Sequence, residues 1–353
     1  MNSPQIAKLR QQHQQLLHSH FTRPAELIQW MGCVQAQDYA GAKWAIGNRV
    51  QGSTDASIEK DFNEGRLLRT HVLRPTWHFV APEDIGWMLQ LTAPRIKAFN
   101  KRLHEKLGIS EKDLHRSRTI LGQALSDQPF LTRTAILPLL HKAKINTDDI
   151  RLGFLLMDAE LEGLICSGPR QGKQFTYALL ANRAASTPIL ERDEAIAQLT
   201  LRYFRSRGPA TVTDFQWWSG LNMADIKTGL VLNKTALHHI VTNGQAYWFT
   251  REEPVKPAPA TLLLPAYDEY AVAYKDRSDI LPATKMAETG YGIFKPVIVV
   301  NGQVVGTWSR KESRTGVEVS TQMITPGSKT TRVLEAAISS YAAFLGKNKK
   351  EMA

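Results

Sequence analysis

Residues 67–81 read LLRTHVLRPTWHFVA, two apolar and aromatic runs that meet at Pro75. Such runs predict two strands, and the proline between them predicts a turn. Upstream we expect four helices, near residues 5–18, 23–34 and 40–49, and from a cap at Ser53 or Thr54 to Gly65. Helices followed by a β-hairpin are typical of a winged helix.

The same order of elements is predicted twice more along the chain. In both cases capped helices precede two strand runs that flank a turn, PRQGK at 169–173 and Asn243-Gly244. The second set has helix starts at Ser110, at Thr132 or Thr134 and at Asp148 or Asp149, then strands within 164–168 and 174–180. The third set has helices near 192–207, from Thr211 or Thr213, and near 222–232, then strands within 236–241 and 246–250.

The last third of the chain predicts a different kind of domain. PVKPAP at 254–259 is typical of a linker, because proline favours extended chain. Four strand runs follow, TLLLPAYDEY (261–270), KPVIVVNG (295–302), QVVGTWSRK (303–311) and VEVSTQMI (317–324), and then a helix near 329–345. We therefore predict an α+β chain of tandem winged-helix units followed by a C-terminal β-barrel-like domain. The predicted boundaries are 1–108, 109–188, 189–253 and 260–353.

Composition and charge narrow the function classes. The 353 residues are 43% hydrophobic and 22% charged, which excludes a wholly disordered chain, and no apolar run reaches membrane-helix length. Cys33 and Cys166 cannot form a disulfide scaffold, so a reducing cytoplasm is expected. The net charge is +11, concentrated in residues 1–120 and 291–353 around a neutral middle. Basic ends indicate a polyanionic partner such as DNA; a basic protein without a special partner remains the alternative.

The chemistry could lie in VQAQDYAGAKW at 34–44, at the end of the second predicted helix. Gln35 and Gln37 alternate with Ala36, and Asp38 follows. Amides cannot act as acids or bases at neutral pH, but they can orient a water molecule. Two amides near a reacting water suit a reaction whose leaving group is already positively charged, and Asp38 could stabilise a cationic centre. Alternatively, the two glutamines only bind solvent at a helix end. His238-His239 has no metal-ligand spacing, so no metal and no cofactor are predicted.

Five segments together resemble one family. They are VQAQDYAGAKWAIGNRV, LRPTWHFVAPEDI, RSRGPATVTDFQWWSGL, LLPAYDEYAVAYKDRSDIL and VVNGQVVGTWSRK, in order over most of the chain. They are similar to the winged-helix DNA-binding family that contains the AlkZ-type DNA glycosylases. The resemblance implies tandem winged helices, a C-terminal β-barrel, and monofunctional removal of alkylated, cationic purines from double-stranded DNA. Interstrand crosslinks are possible substrates. Its Gln-aliphatic-Gln motif matches Gln35, Ala36 and Gln37, which would hold the attacking water.

Several basic side chains are candidate contacts to DNA phosphates, although each could equally be a solvated surface charge. They are Lys43, Arg49, Arg69, Arg74, Arg170, Lys173, Arg310 and Lys311. Most of the tryptophans are expected to pack in cores rather than to stack on bases. No catalytic role is predicted for Asp268 and Glu269, and backbone amides or Arg277 are their expected hydrogen-bond partners.

Two other functions stay open at this point. A non-enzymatic winged-helix transcription regulator would share the charge and the helices, and an inactive relative could serve as a lesion sensor. A regulator normally dimerises, whereas this chain contains three units and no obvious dimerisation segment, so a monomer is expected. Such a glycosylase would work at the nucleoid in the cytoplasm.

Overall fold

The structure, a computed structural model, describes residues 1–148, 150–184, 188–242, 244–251, 260–324 and 331–350. Its helices are α1 (Ser3–His13), α2 (Pro24–Met31), α3 (Tyr39–Gly47), α4 (Asp55–Asn63), α5 (Pro82–Leu107), α6 (Glu111–Asp127), α7 (Arg133–Lys142), α8 (Arg151–Leu161), α9 (Leu180–Arg183), α10 (Arg192–Arg207), α11 (Val212–Ser219), α12 (Met223–Leu232), α13 (Glu269–Val272) and α14 (Thr331–Phe344). Its strands are β1 (Val34–Gln35), β2 (Leu68–His71), β3 (Trp77–Val80), β4 (Leu131–Thr132), β5 (Ile165–Ser167), β6 (Thr176–Leu179), β7 (His238–Thr242), β8 (Gln245–Phe249), β9 (Thr261–Leu264), β10 (Val297–Val300), β11 (Gln303–Glu312), β12 (Gly316–Met323) and β13 (Asn348–Lys349).

The chain divides into two compact units. Unit 1 comprises Met1–Glu59, Ile196–Trp218 and Asn222–Ala353, and unit 2 comprises Lys60–Ala195 and Ser219–Leu221. The mixed α+β class is confirmed. The finer four-module boundaries remain a prediction. No helix within the described ranges is long and apolar enough to cross a membrane.

Unit 2 contains two of the predicted hairpins. β2 and β3 pair in antiparallel register, with Leu68 opposite Val80 and His71 opposite Trp77. β5 and β6 pair around the basic turn at 169–173, and β4 joins β6 to complete a three-stranded sheet. The apolar faces of α6, α7 and α8 pack on this sheet through buried leucines and isoleucines, which close the main core of the unit.

The longest helix in the described part of the chain, α5, is not among the helices predicted from the sequence. It starts at Pro82, with Glu83 and Asp84 in its first turn, where proline and acidic residues are favoured. Gly108 ends it in the left-handed conformation that glycine adopts easily. Pro94 lies inside the helix and hides it from a pattern search.

Unit 1 contains a five-stranded sheet in the order β13-β12-β11-β10-β9, curled into a half-barrel. Three of the four predicted strand runs form β10, β11 and β12. The turn between β10 and β11 is formed by Asn301 and Gly302, both at positive φ, as the sequence predicts. The third predicted hairpin, β7–β8, also belongs to this unit and pairs His238 with Phe249.

The fourth strand run is only partly a strand. TLLL forms β9, but a proline follows, and Asp268 caps the short helix α13 by accepting a hydrogen bond from the Tyr270 amide, 2.8 Å. Similarly, the first helix ends at His13 rather than near residue 18, because Gln15 is left-handed and the Leu16 amide bonds back to the Gln11 carbonyl. Predictions at Asp149, Asn243, 254–259 and Lys329 lie outside the described residues.

Candidate active site

The Gln-x-Gln motif lies in unit 1, where a buried strand gives way to the surface. Gln35 ends β1 and is 5% exposed, whereas Gln37 is exposed and Asp38 is half-buried. β1 ends at Gln35, Ala36 is fully buried, and Gln37 lies in the bend that leads to α3. The Gln35 side chain is therefore enclosed, whereas the Gln37 side chain faces solvent.

Gln35 is held through its backbone and keeps one side-chain atom available. Its amide N–H donates to Glu269 Oε1 at 2.8 Å. Its own Oε1 is buried and accepts no hydrogen bond from any residue that the structure describes. A buried polar atom without a partner is costly in a core but useful in a binding site, so this oxygen is the candidate acceptor for a water or substrate hydrogen.

Glu269 lies at the centre of this anchor and is completely buried. Its Oε2 accepts hydrogen bonds from Arg207 Nε and Nη2 at 2.9 and 2.7 Å and from Trp218 Nε1 at 3.0 Å. The same guanidinium donates to the Cys33 carbonyl at 2.8 Å. A buried ion pair thus fixes the backbone on both sides of Val34, and the position of Gln35 depends on it.

Asp38 has a structural task in this geometry. Its carboxylate caps α3 by accepting a hydrogen bond from the Gly41 amide at 3.0 Å. A Cβ at position 41 would lie 2.6 Å from Asp38 Oδ2, so the cap requires glycine there. The carboxylate stabilises the start of the helix and places negative charge beside the motif. That charge is what the role predicted for Asp38, stabilisation of a cationic centre, would use.

Arg49 is buried rather than exposed to a phosphate. It is 1% exposed, and its Nη1 and Nη2 bind both carboxylate oxygens of Asp268 at 2.9 and 2.7 Å. Its other hydrogen bonds go to Gln14 Oε1 and to the Gln14 and Ala45 carbonyl oxygens. This placement does not favour the DNA contact expected for Arg49, and it shows that Asp268 pairs with Arg49 instead of Arg277.

A buried polar chain continues below this pair. Gln14 Nε2 donates to the Tyr274 hydroxyl at 2.9 Å, and that hydroxyl donates to the Arg207 carbonyl at 2.8 Å. Burial raises the pKa of Tyr274 to about 12, so the ring stays neutral at physiological pH. The two ion pairs, Arg49–Asp268 and Arg207–Glu269, are therefore joined through hydrogen-bonded groups.

Lys43 is also already paired. Its ammonium donates to Asp55 Oδ2 at 2.9 Å and to Glu59 Oε2 at 2.8 Å, and Tyr39 donates to the same Glu59 oxygen. The side chain is 7% exposed. A lysine held by two carboxylates presents little free positive charge, so its predicted DNA contact is not favoured either.

The other predicted contacts differ in accessibility. In unit 2, Arg69 is buried with its guanidinium over the Trp77 and Phe175 rings, whereas Lys173 is exposed at the hairpin turn. Arg74 and Arg170 are half-buried. In unit 1, Lys311 is exposed on β11, and Arg310 Nε pairs with Glu312 at 3.0 Å. Lys173 and Lys311 thus keep the ammonium groups most open to a phosphate.

Three tryptophans are core residues, and two others are more exposed. Trp44, Trp218 and Trp308 are at most 4% exposed, as predicted, and Trp77 is half-buried. Trp217 differs, since it is 41% exposed while its indole N–H donates to the Val272 carbonyl at 3.0 Å.

The anchor made by Glu269 and Arg207 was not predicted from the sequence. One pattern does point to it, because two acidic residues inside the largely apolar run 261–274 cannot be buried without hydrogen-bonding or cationic partners. Nothing in the sequence tells which of the 44 lysines and arginines those partners are. Only the fold brings the end of α10, the Gln motif and the start of α13 together.

The chain is similar to known proteins over most of its length. A curated relative from Streptomyces sahachiroi, the "Interstrand DNA cross-link repair glycosylase", is 25% identical over 332 residues, which cover 89% of this chain and 87% of the relative. The solved structure of Streptomyces sahachiroi DNA glycosylase AlkZ matches this fold with a TM-score of 0.81 over 99% of both chains, at 20% identity. A family profile described as "DNA glycosylase AlkZ-like" matches residues 28–344. Since that match spans most of the chain and includes the Gln motif, the chain belongs to the AlkZ-like DNA glycosylase family.

Proposed function

We propose that this protein is a monofunctional DNA glycosylase that hydrolyses the bond between deoxyribose and a cationic, N7-alkylated purine in double-stranded DNA, leaving an abasic site. The observation that carries the proposal is the buried Gln35 Oε1, which has no partner among the described residues and lies next to the exposed Gln37. Family membership favours base excision over a regulator or an inactive lesion sensor.

The chemistry suits residues that cannot transfer protons. An N7-alkylated purine already carries positive charge, so it leaves as a neutral base without a general acid. The sugar becomes oxocarbenium-like and needs a positioned water and nearby negative charge. Gln35 Oε1 and the Gln37 amide would hold that water, and the Asp38 carboxylate would stabilise the cationic sugar. The proton that the water loses when its oxygen bonds to the sugar would pass to bulk solvent. Neither a metal nor a cofactor is part of this proposal.

Contact with the DNA backbone is assigned to the hairpins. Lys173 lies at the turn of one hairpin and Lys311 on β11 of another, and both are exposed. We assign each helix set with its hairpin as a winged-helix module, within the boundaries 1–108, 109–188 and 189–253. A monomer acting at the nucleoid would bind the duplex through these hairpin lysines. The name of the Streptomyces relative suggests interstrand crosslinks as further substrates, with simple N7 adducts as the minimal test case.

Product analysis tests the proposed reaction with wild-type protein. A duplex with one 7-methylguanine is incubated with the protein in the presence and absence of borohydride, and free base, abasic sites and protein–DNA adducts are measured. Hydrolysis by a bound water predicts free 7-methylguanine, an abasic site and no protein–DNA adduct on borohydride treatment. A trapped adduct would show an amine nucleophile and overturn the water mechanism. Sequence-specific binding of undamaged DNA without base release would support the regulator instead.

A further inference from the structure

Three aromatic side chains of unit 1, Tyr267, Tyr291 and Phe294, come from two segments joined by a backbone hydrogen bond and are here called the aromatic cluster. Tyr267 is half-buried. The Tyr267 and Phe294 rings meet edge to face with centroids 5.9 Å apart. Tyr291 is 53% exposed and Phe294 62% exposed. Large aromatic rings left in solvent are unfavourable unless a partner covers them.

The cluster flanks the Gln motif, because the segment that carries Tyr267 runs alongside it. Glu269 contacts the Gln35 amide, and a Cβ at Gly41 would lie 3.1 Å from Pro265 Cβ. The segments 35–41 and 265–269 therefore lie against each other, and Tyr267 belongs to the stretch that contacts the motif segment. From chain geometry, the Tyr267 Cα is no more than about 15 Å from the Gln35 nitrogen.

The backbone of the cluster is held in an unfavourable conformation. Tyr267 and Tyr291 have φ of 61° and 60°, a region that bulky residues rarely adopt. Tyr291 lies between Gly290 and Gly292, which also have positive φ. The Tyr267 amide donates to the Ile293 carbonyl at 2.8 Å and ties the two segments together. Strain of this kind is characteristic of binding sites, where it presents particular side chains.

Nucleobases are the occupant that fits this place best. The cluster lies beside the motif of a DNA glycosylase-family protein, and residues 291–353 carry an excess of five positive charges. Aromatic rings stack on unpaired bases of any sequence, as a lesion-specific enzyme requires. We propose that the aromatic cluster packs against the bases next to the lesion when the damaged sugar reaches Gln35 and Gln37. This inference rests on the proposed function and adds the surface that selects distorted DNA.

The test uses a Tyr291→Ala, Phe294→Ala double variant, with Val231→Ala, Leu232→Ala as matched control. The control residues are apolar, lie at the end of α12 in the same unit and are 66% and 50% exposed. The probe is a duplex with one tetrahydrofuran abasic analogue beside a fluorescent 2-aminopurine, and an undamaged duplex gives the baseline. Because the probe contains no cleavable lesion, binding is measured independently of excision. Circular dichroism checks that both variants are folded.

The cluster variant is expected to bind the abasic duplex about tenfold more weakly than wild type and to lose the 2-aminopurine fluorescence change. Its affinity for undamaged DNA and its salt dependence should stay unchanged, because no phosphate contact is removed. Phe294→Trp should keep the binding.

Equal binding and fluorescence in the cluster variant and the control would overturn the inference. A second result would also overturn it: the cluster variant keeps its DNA affinity but loses a concentration-dependent dimer that wild type forms. The cluster would then join two copies of the chain. The proposed function fails separately, if wild-type protein releases no alkylated base while the dependence on Phe294 persists.

Discussion

Replacing Glu269 by glutamine is expected to destabilise unit 1 by about 3–5 kcal/mol, the usual cost of removing one partner of a buried ion pair. The Glu269 carboxylate accepts four hydrogen bonds and is fully buried, so water cannot compensate. Glutamine keeps the volume, which excludes a cavity contribution. The glutamine side chain would place its NH₂ group, a donor, against another donor, either the Arg207 guanidinium or the Gln35 backbone N–H. It would also leave the buried Arg207 charge unpaired.

Urea unfolding followed by both tryptophan fluorescence and far-UV circular dichroism measures this loss. Two probes are needed because the chain contains two units that can unfold separately. With a urea dependence of about 3 kcal/mol per M, the transition of unit 1 should move by about 1 M or more. Glu288→Gln is the matched control, since its partner Lys285 is an exposed lysine 2.9 Å away. That control should change stability by less than about 1 kcal/mol.

A second variant separates stability from positioning. Replacing both partners by apolar residues, Glu269→Leu with Arg207→Met, should recover much of the stability, because no unpaired charge remains. The rate of base excision should stay about tenfold or more below wild type, since the Gln35 backbone N–H has lost its hydrogen-bond acceptor. A Glu269→Gln shift no larger than that of Glu288→Gln would refute the ion-pair reasoning. Full excision by the double variant would refute the positioning role.

Three further predictions concern other parts of the chain. Burial lowers the pKa of His13 from 6.5 to about 4, so the unfolded chain binds more protons than the folded chain between these pH values. The free energy of unfolding should therefore fall by about 3 kcal/mol as the pH drops from 7 to 4. His13→Phe should flatten this pH profile, as measured by urea titrations. Gly122→Ala should raise the melting temperature of unit 2 by removing a helix-interior glycine from a site with space, whereas Gly229→Ala should lower that of unit 1, because the new Cβ would clash with Thr200. Lys311→Ala should reduce the slope of log affinity for undamaged DNA against log salt by about one, and an unchanged slope would remove Lys311 from the interface.

Local patterns carried enough information for much of the fold. The alternating runs at 67–81, 164–180 and 236–250 form hairpins, and the Asn301-Gly302 turn joins β10 to β11. These features depend on residues close in sequence, where side-chain alternation and turn preference act directly. The long helix α5 was not predicted, because Pro94 interrupts its helical pattern of apolar residues.

The site was only partly predictable, because its anchors come from distant segments. The Gln motif could be found from its composition, and its placement at a buried strand end suits the proposed role. The sequence could not tell that Arg49 and Lys43 are neutralised by carboxylates or that Glu269 holds Gln35. Sequence reasoning treats cations as surface charges, whereas burial creates specific ion pairs that only the tertiary structure reveals.

The proposed reaction requires Gln35 and Gln37 to position the water that attacks the deoxyribose. Its most direct test is the single-turnover rate of 7-methylguanine release by the Gln35→Ala, Gln37→Ala double variant, beside wild type and the exposed Gln51→Ala control. We expect a loss of about 100-fold or more with DNA affinity unchanged, and a wild-type rate for the control. A double variant that is folded, binds DNA and releases 7-methylguanine at the wild-type rate would contradict the account.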